Sequence, residues 1–260
     1  MKLEVLISTM YQTGFSKLIR KMKIKSDAIF INQSDSFEYS CINNNNNNIK
    51  IFTFPERGIG LSRNNALMRA EGDICLLADD DVILDENYYE IIIKAYEEHP
   101  EADVILFNVP SLNHKRPTVD IKKKQKIHHL NYMKYGAVNI TFRTKKIQDR
   151  AIYFSLAFGG GAKYSAGEDT LFLHNCLEKK LKIVALPKII GWVEQKDSTW
   201  FEGYNKKYFF DKGIFFSHLS KRNAYLLALQ FLIRKHKLYK DQISFNDAFK
   251  KIIEGIKNEL

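Results

Sequence analysis

Apolar runs and helical segments alternate along the first 110 residues, and this alternation is the strongest constraint on the fold. Five apolar runs are typical of buried strands: Leu3–Ile7, Ala28–Ile31, Ile49–Phe54, Ile74–Ala78 and Val104–Val109. Segments whose apolar residues have helical spacing separate these runs. The first of them has Phe15, Leu18, Ile19 and Met22 at positions i, i+3, i+4 and i+7. Strands that alternate with helices predict an α/β fold in which a mostly parallel sheet is flanked by helices.

Turn-forming and capping residues predict several local boundaries. The second helix is predicted to begin at Ser62 as its cap and to end near Gly72. The tract Asn43–Asn48 predicts a mobile surface loop with no function of its own. A later strand is predicted over Lys182–Leu186, and Pro187 is expected to end it.

Charge and cysteine content narrow the classes of partner and compartment. The formal net charge is +10 at pH 7, which favours anionic partners such as nucleotide phosphates or an anionic membrane face. Nucleic acid is disfavoured because the sequence has no helix-turn-helix, RNP-like or zinc-finger pattern. The 3 scattered cysteines, Cys41, Cys75 and Cys176, predict buried, reduced thiols in a cytosolic protein. Neither a secretory signal peptide nor a membrane-spanning apolar run is expected.

Three consecutive carboxylates, Asp79, Asp80 and Asp81, follow the apolar run Ile74–Ala78. Ligands of such sheets bind at the carboxyl ends of the strands. Side chains at i and i+2 of a strand point the same way, so Asp79 and Asp81 are predicted to aim at one point. Converging carboxylates favour Mg²⁺ or Mn²⁺, which also binds substrate phosphates. The alternative is a solvated acidic turn that caps the next helix, a role that Asp85 already suits.

The residues around this cluster resemble the signature of glycosyltransferase family 2. The matching elements, in chain order, are Arg63-Asn64, Ala70, Gly72-Asp73, the apolar strand and Asp79-Asp80-Asp81-Val82. The resemblance covers roughly Met1 to Val109 and resumes over Gly159 to Pro187. It implies a GT-A fold, and an inverting enzyme that uses a nucleoside-diphosphate sugar with Mn²⁺ or Mg²⁺.

The resemblance also implies roles for individual residues. Thr9 and Tyr11 match the turn after the first strand, which contacts the nucleobase and the ribose. Asp79 and Asp80 are expected to bind the donor, and Asp79 and Asp81 to hold the metal. Arg63 matches the helix arginine near the nucleotide pocket, with a structural ion pair to a nearby aspartate as an equal alternative.

The segment Asn32-Gln33-Ser34-Asp35 departs from the family pattern. Gln33 stands where the family commonly has an aspartate that accepts the uracil imide proton. Its amide oxygen can still accept from uracil N3, so Gln33 is expected to bind the donor, with UDP preferred but other nucleotides left open. Asp35 is interpreted as an ordinary turn residue.

A second carboxylate pair, Glu168-Asp169, opens a predicted helix after a glycine-rich stretch. Helix capping alone would explain acidic residues there. The resemblance instead implies that Asp169 is the general base for the acceptor hydroxyl and that Glu168 orients the acceptor or the loop. Where the family often has a further histidine, this chain has Gly191–Gln195, in which Glu194 or Gln195 is the candidate substitute.

The middle and the end of the chain carry less specific signals. The segment Ser111–Lys146 is basic and irregular, and its His128 and His129 are interpreted as acceptor-loop or surface residues. Trp192 and Trp200 are candidates to stack on an acceptor sugar, with aromatic core contacts as the alternative.

An apolar stretch near the C-terminus, Ala224–Ile233, lies between the cations of Lys221-Arg222 and those of Arg234–Lys237. This pattern suits a helix in an anionic membrane interface, and equally a helix packed on the domain. Residues 1–205 are predicted to form the GT-A domain, divided into a nucleotide-sugar-binding half (1–110) and an acceptor-binding half (111–205). Residues 206–260 are predicted to form a helical, basic and aromatic extension.

The sequence thus predicts a metal-dependent inverting glycosyltransferase of the hexosyltransferase type. Its donor would be a nucleoside-diphosphate sugar, with a UDP-sugar preferred, and its acceptor a hydroxyl of a glycan or lipid-linked glycan. The resemblance suggests bacterial surface polysaccharide biosynthesis, in the cytoplasm or peripherally on the inner face of the cell membrane. A nucleotidyltransferase would need a glycine-rich loop that carries arginine and lysine directly after the first strand. This class is disfavoured because the segment there, Met10–Phe15, contains one glycine, Gly14. The remaining alternative is a degenerate GT-A fold that serves as a membrane-associated scaffold or glycan-binding module.

Overall fold

The computed structural model describes residues 1–44, 46–195 and 203–259. The strands in these ranges are β1 (Leu3–Met10), β2 (Asp27–Gln33), β3 (Glu38–Asn44), β4 (Asn47–Phe54), β5 (Ile74–Asp79), β6 (Val82–Leu84), β7 (Val104–Asn108), β8 (Gln125–Lys126), β9 (Ile140–Arg143), β10 (Ile183–Ile189) and β11 (Gly191–Val193). The α-helices are α1 (Phe15–Met22), α2 (Ile59–Arg69), α3 (Tyr88–Glu98), α4 (Thr144–Gln148), α5 (Glu168–Glu178), α6 (Lys206–Leu219), α7 (Ala224–Tyr239) and α8 (Phe245–Glu259).

Nine of the strands in the described ranges form one sheet in the order β3-β4-β2-β1-β5-β9-β7-β10-β8. The pairs β1–β2, β1–β5, β2–β4 and β7–β10 are parallel, whereas β3, β8 and β9 pair antiparallel with their neighbours. Six strands of the nine therefore run in the same direction, which confirms the mostly parallel sheet predicted from the alternation of elements. β6 and β11 form a separate antiparallel pair.

The chain divides into two compact units. Unit 1 comprises Met1–Leu156 and Glu168–Asp197 and contains both sheets and α1 to α5, whereas unit 2 comprises Ala157–Gly167 and Ser198–Leu260 and contains α6 to α8. The core of unit 1 combines strand residues that are buried on both faces of the sheet, as their continuous apolar sequences require, with apolar residues of α1 and α3. The helices of unit 2 confirm the predicted helical C-terminal region, and the finer boundaries at 110 and 205 stay predictions.

The α6–α8 contact in unit 2 depends on two glycines. A Cβ atom on Gly213 would lie 2.1 Å from the carbonyl oxygen of Ile252, and one on Gly255 would lie 2.1 Å from that of Phe210. Since neither position has room for a side chain, the two helix backbones approach more closely than larger residues would permit.

The predicted asparagine loop is wrong. Asn43 and Asn44 end β3, Asn47 and Asn48 begin β4, and the register pairs Asn43 with Asn48. β3 is the edge strand of the sheet and most of its residues are exposed, so polar residues there cost little. Cross-strand pairing therefore overrides the low strand propensity of asparagine.

Four other local predictions are also wrong. Cys41 was predicted to be buried but is exposed, because it lies on the edge strand β3. α2 begins at Ile59 with Gly58 as its N-cap, so Ser62 lies inside the helix, where its hydroxyl donates to Ser8 Oγ at 2.9 Å. β9, in the segment predicted as irregular, lies between β5 and β7 in the sheet. β10 continues through Pro187, because a shift in register after Ala185 accommodates the missing N–H group.

Candidate functional site

The carboxyl ends of three neighbouring strands bring the predicted polar clusters together. Thr9 of β1 lies opposite Asn32 of β2, and Ser8 of β1 lies opposite Asp79 of β5. Because β1 lies between β2 and β5, the turn after β1 is next to both the Asn32–Asp35 segment and the acidic cluster. This edge of the sheet is the position where parallel sheets bind their ligands.

The three consecutive aspartates have different partners. Asp79 is the last residue of β5, and Asp80 and Asp81 form the turn into β6, so the strict strand alternation ends at Asp79. Asp80 Oδ2 accepts a hydrogen bond from Thr9 Oγ1 at 2.5 Å, and Asp81 Oδ2 accepts one from the backbone N–H of Gln195 at 3.2 Å. The cluster is thereby held from both sides, by β1 and by the segment after β11.

Asp81 carries unfavourable negative charge. Burial, together with the charges of Asp79 and Asp80, raises the pKa of its carboxyl group from 3.8 to about 6. A cation beside these carboxylates would relieve that cost, and their oxygen atoms are the donors that Mg²⁺ and Mn²⁺ prefer. Within the described residues, the three carboxylates do not bring their oxygens within 4.8 Å of one another. The cluster therefore fits a metal held by one or two carboxylates together with phosphate oxygens.

Arg63 connects the two acidic clusters. Its Nη2 lies 3.2 Å from Asp79 Oδ1 and its Nη1 lies 2.8 Å from Glu168 Oε1, while its own side chain is 6% exposed. Burial alone would lower the pKa of the guanidinium group, but Asp79, Glu168 and Asp169 more than offset this and raise it. The ion pair considered for Arg63 is therefore present, and it joins the end of β5 to the start of α5.

The second carboxylate pair lies in the first turn of α5, as expected. Asp169 Oδ1 accepts a hydrogen bond from the N–H of Thr170 at 2.7 Å. A Cβ atom on Gly136 would lie 3.5 Å from Asp169 Oδ2, so the turn at Gly136 runs beside this carboxylate. Glu168 is 12% exposed and is turned towards Arg63. The arrangement fixes Glu168 as the ion-pair partner of Arg63 beside the predicted base.

The turn after β1 forms a second part of the site, together with Arg57, which was not a candidate from the sequence. Tyr11 has a left-handed backbone (φ 51°) and a 53% exposed side chain. Arg57 donates to the Tyr11 hydroxyl, lies over its ring at 4.6 Å from the centroid, and pairs with Asp35 Oδ1 at 2.8 Å. An arginine beside an exposed tyrosine ring suits a nucleotide, because its base can stack on the ring and its phosphates can pair with the guanidinium group. The sequence feature that could have identified Arg57 is its place in the turn Glu56-Arg57-Gly58, which follows the end of β4.

Gln33 is less available to bind a nucleobase than predicted. Its side chain is buried, and its Oε1 accepts a hydrogen bond from the N–H of Gly58 at 2.7 Å. Gly58 has a φ of 126°, which glycine adopts readily. Since an amide oxygen has two lone pairs, it retains the capacity for a second hydrogen bond while fixing the start of α2.

The segment that lacks the family histidine lies against Asp81. The N–H of Glu194 donates to the carbonyl oxygen of Asp81 at 3.0 Å, and its carboxylate pairs with Lys21 at 2.7 Å. Gln195 contacts Asp81 through its backbone, as described above. Trp192 lies in β11 opposite Ile83, whereas Trp200 lies outside the described residues.

Other residues of the signature support the frame of the site. Gly72 is required because a Cβ atom there would lie 2.7 Å from Glu4 Cβ, and Glu4 Oε2 accepts from the N–H groups of Glu71 and Gly72. Asn64 bonds both the carbonyl oxygen and the N–H of Phe154, at 2.9 and 2.8 Å. These contacts fix the start of β5 and hold the segment before Ala157 against α2.

α7 in unit 2 has an exposed apolar face. Its buried residues form a narrow stripe of Ala224, Ala228, Leu232 and Tyr239. Its exposed apolar residues are Tyr225, Leu226, Leu229, Ile233 and Leu238, with Lys221 and Arg222 before them and Lys235 and Lys237 among them. Of the helices in the described ranges, none combines the length and apolar character needed to cross a bilayer.

Comparisons with known proteins agree with this architecture. The model of the family described as Glycosyl transferase family 2 matches residues 37–157. The crystal structure of S. aureus TarS 1-349 with UDP-GlcNAc has 17% sequence identity and a TM-score of 0.69, covering 98% of this chain and 82% of that chain. The crystal structure of S. aureus TarS 1-349 with UDP has 18% sequence identity and a TM-score of 0.64, covering 98% of this chain and 81% of that chain.

A more distant structure has the same fold. The mannosyltransferase PcManGT from Pyrobaculum calidifontis, in complex with GDP-Man and Mn²⁺, has 10% identity and a TM-score of 0.53, covering 99% of this chain and 74% of that chain. No curated protein sequence matches the chain. The predicted GT-A fold is confirmed. The family model confirms the resemblance to family 2 over residues 37–109 and extends it to residue 157, whereas the resemblance over Gly159 to Pro187 stays a prediction.

Proposed function

We propose that this chain transfers a sugar from a nucleoside-diphosphate sugar to an acceptor hydroxyl, because residues 37–157 match the model of glycosyl transferase family 2 and the chain has a GT-A fold. The observation that carries the proposal is the double ion pair of Arg63. It joins Asp79, at the donor edge of the sheet, to Glu168, next to the proposed base. This connection supports the proposal that the carboxylates at the donor edge and the proposed base act in one site.

The donor binds at the carboxyl ends of β1, β2 and β5. Tyr11 and Arg57 contact the nucleobase and ribose, Gln33 contributes its remaining amide capacity, and Thr9 holds Asp80 toward the donor. UDP is the preferred nucleotide because the structures of S. aureus TarS contain UDP-GlcNAc or UDP. A guanine nucleotide is the next choice, from the GDP-Man complex of PcManGT.

The site suits a divalent cation held by Asp79 and Asp81. When bound, Mn²⁺ or Mg²⁺ would neutralise charge on the diphosphate leaving group. Among the chain's own residues, Asp80 is positioned by Thr9, and Gln195 fixes the orientation of Asp81. Arg63 remains fully charged and holds Asp79 at one edge of the cluster.

The transfer step is a single displacement. The acceptor oxygen forms a bond to the anomeric carbon as the bond from that carbon to the diphosphate oxygen breaks. The acceptor proton passes to Asp169, and the nucleoside diphosphate leaves with the electron pair of the broken bond. Attack from the face opposite the leaving group inverts the anomeric configuration, as the family resemblance implies.

The acceptor is proposed to be a glycan or lipid-linked glycan of a bacterial surface polysaccharide, as the resemblance suggests. A membrane-bound acceptor agrees with the exposed apolar face of α7 and its flanking cations. The chain would then act in the cytoplasm, in peripheral contact with anionic lipid on the inner face of the membrane.

Hydrolysis and transfer assays test the proposal. A panel of UDP- and GDP-sugars is incubated with wild type and Asp169→Asn, with Mn²⁺, Mg²⁺ or EDTA. Asp169→Asn is expected to lower turnover about 10²- to 10⁴-fold while UDP still raises its melting temperature as in wild type. Asp149→Asn, which removes one charge from an exposed residue, is the matched control and should retain activity.

Two outcomes would contradict the proposal. Nucleotide binding without turnover of any donor would favour the glycan-binding or scaffold alternative. Full activity of Asp169→Asn would remove Asp169 as the base.

A further inference from the structure

A cluster of two histidines and a glutamate lies outside the donor site. His129, His174 and Glu178 each offer one ligand atom, and these atoms all lie within 4.8 Å of one another. Glu178 is the last residue of α5, His174 lies one turn before it, and His129 comes from the segment between β8 and β9. All three residues belong to unit 1.

From this geometry we propose that His129, His174 and Glu178 form a binding site for a transition-metal ion of the Zn²⁺ type, separate from the donor site. Two imidazoles and one carboxylate are a common ligand set for zinc, and nitrogen ligands select Zn²⁺ over Mg²⁺ or Mn²⁺. The proposal does not depend on the proposed transfer reaction.

The spacing of the ligands is close to what such an ion requires. A tetrahedral Zn²⁺ ion with bonds near 2.1 Å holds its ligand atoms about 3.4 Å apart. His129 Nε2 lies 3.6 Å from Glu178 Oε1, and the remaining atom pairs are within 4.8 Å. His174 and Glu178 lie on the same face of α5 because they are four residues apart. Small rotations of exposed side chains would close the site.

A neighbouring hydroxyl group orients one of the ligands. Tyr132, which is 3% exposed, places its hydroxyl 3.2 Å from His174 Nδ1 and leaves Nε2 of that ring for the metal. With Nε2 on a metal, Nδ1 carries the proton and donates it to the Tyr132 oxygen. Histidine ligands in metal sites regularly have such a partner on the second ring nitrogen.

A bound ion would attach a loop to the helix that carries the proposed base. α5 has 11 residues and spans about 16 Å, with Asp169 in its first turn and Glu178 at its end. The chain runs from His129 to Gly136, which lies beside Asp169. The ion would therefore fix this segment against α5 and hold the surroundings of Asp169 in one arrangement.

Metal titration of the tag-free, EDTA-treated protein tests the site. The background variant is Cys41→Ser, which removes the exposed thiol as a competing ligand. Co²⁺ is the spectroscopic probe and Zn²⁺ the competitor. We expect one Co²⁺ ion per chain with the strong visible absorption of tetrahedral coordination, displaced by Zn²⁺. Zn²⁺ should also slow amide exchange over residues 128–136.

The variants separate this site from its neighbours. His129→Gln and Glu178→Gln change exposed side chains and should each weaken Zn²⁺ binding, and their combination should abolish it. Tyr132→Phe should weaken binding about tenfold. His128→Gln is the matched control, since it changes the adjacent histidine, and it should bind as the background does. Asp81→Asn changes the donor site and should still bind Zn²⁺ at the histidine site. Loss of Zn²⁺ binding can therefore be distinguished from loss of the donor site.

Two results would overturn the proposal. The first is the absence of saturable Zn²⁺ and Co²⁺ binding in the background variant. The second is unchanged binding in the His129→Gln, Glu178→Gln double variant, since the ion would then lie elsewhere.

Discussion

Replacing Asp81 by asparagine should stabilise the metal-free protein while it impairs the proposed donor site. The pKa of Asp81 is raised from 3.8 to about 6, so at neutral pH the native state holds an ionised carboxylate that it disfavours. A shift of about two units corresponds to roughly 3 kcal/mol. Because the residue is only partly buried, solvent screening reduces this to about 1–2 kcal/mol.

The pH dependence has a definite sign. A carboxyl group whose folded pKa is raised lowers the stability of the native state when it ionises, so the cost is full above about pH 6 and absent below 3.8. Asp81→Asn should therefore exceed wild type in the free energy of unfolding at pH 7.5, and the difference should shrink as the pH falls from 6 towards 4. The asparagine carbonyl oxygen can still accept from the N–H of Gln195, so that contact survives.

Chemical denaturation in EDTA, at pH 7.5 and at pH 4, measures the effect. Asp149→Asn makes the same change in net charge at an exposed position and should leave the difference from wild type near zero. Adding Mn²⁺ with UDP should stabilise wild type more than Asp81→Asn. Equal or lower stability of Asp81→Asn at pH 7.5 in EDTA would refute the reasoning, because the carboxylate would then have no electrostatic cost to relieve.

Three further predictions concern other parts of the chain. Gly213→Ala should destabilise the protein by about 1–3 kcal/mol in a denaturant titration, because its Cβ would overlap Ile252, whereas Gly14→Ala has 3.7 Å to the nearest atom and should be close to neutral. Arg57→Gln should weaken UDP binding in calorimetry by about tenfold or less, since it removes an exposed cation beside Tyr11, and unchanged affinity would exclude Arg57 from the site. Leu226→Glu should abolish sedimentation with phosphatidylserine vesicles, and binding that persists would show that the α7 face is not the contact.

The sequence predicted those features that periodicity and strand ends determine. The five apolar runs became strands because a continuous apolar segment has to be buried on both faces. The acidic cluster was located because it ends one of these runs. The β3–β4 hairpin at the asparagine tract and the insertion of β9 were missed, since long-range pairing decides both and local propensity does not. Arg57 was missed because its neighbours, Tyr11 and Asp35, come from other strand ends.

Arg63 decides whether the two acidic clusters act as one site, and a double-mutant cycle measures this directly. Asp79→Asn and Glu168→Gln each leave the buried guanidinium with one strong carboxylate partner, whereas the double variant removes both. The second removal should cost more than the first, since a buried charge without a close partner is the expensive state. The double variant should therefore be less stable than the sum of the single effects, by about 1–2 kcal/mol. The control pair, Asp79→Asn with Asp149→Asn, should be additive. If Asp79 and Glu168 were also additive within about 0.5 kcal/mol, Arg63 would not couple them, and the donor edge and the proposed base would have to be treated as independent.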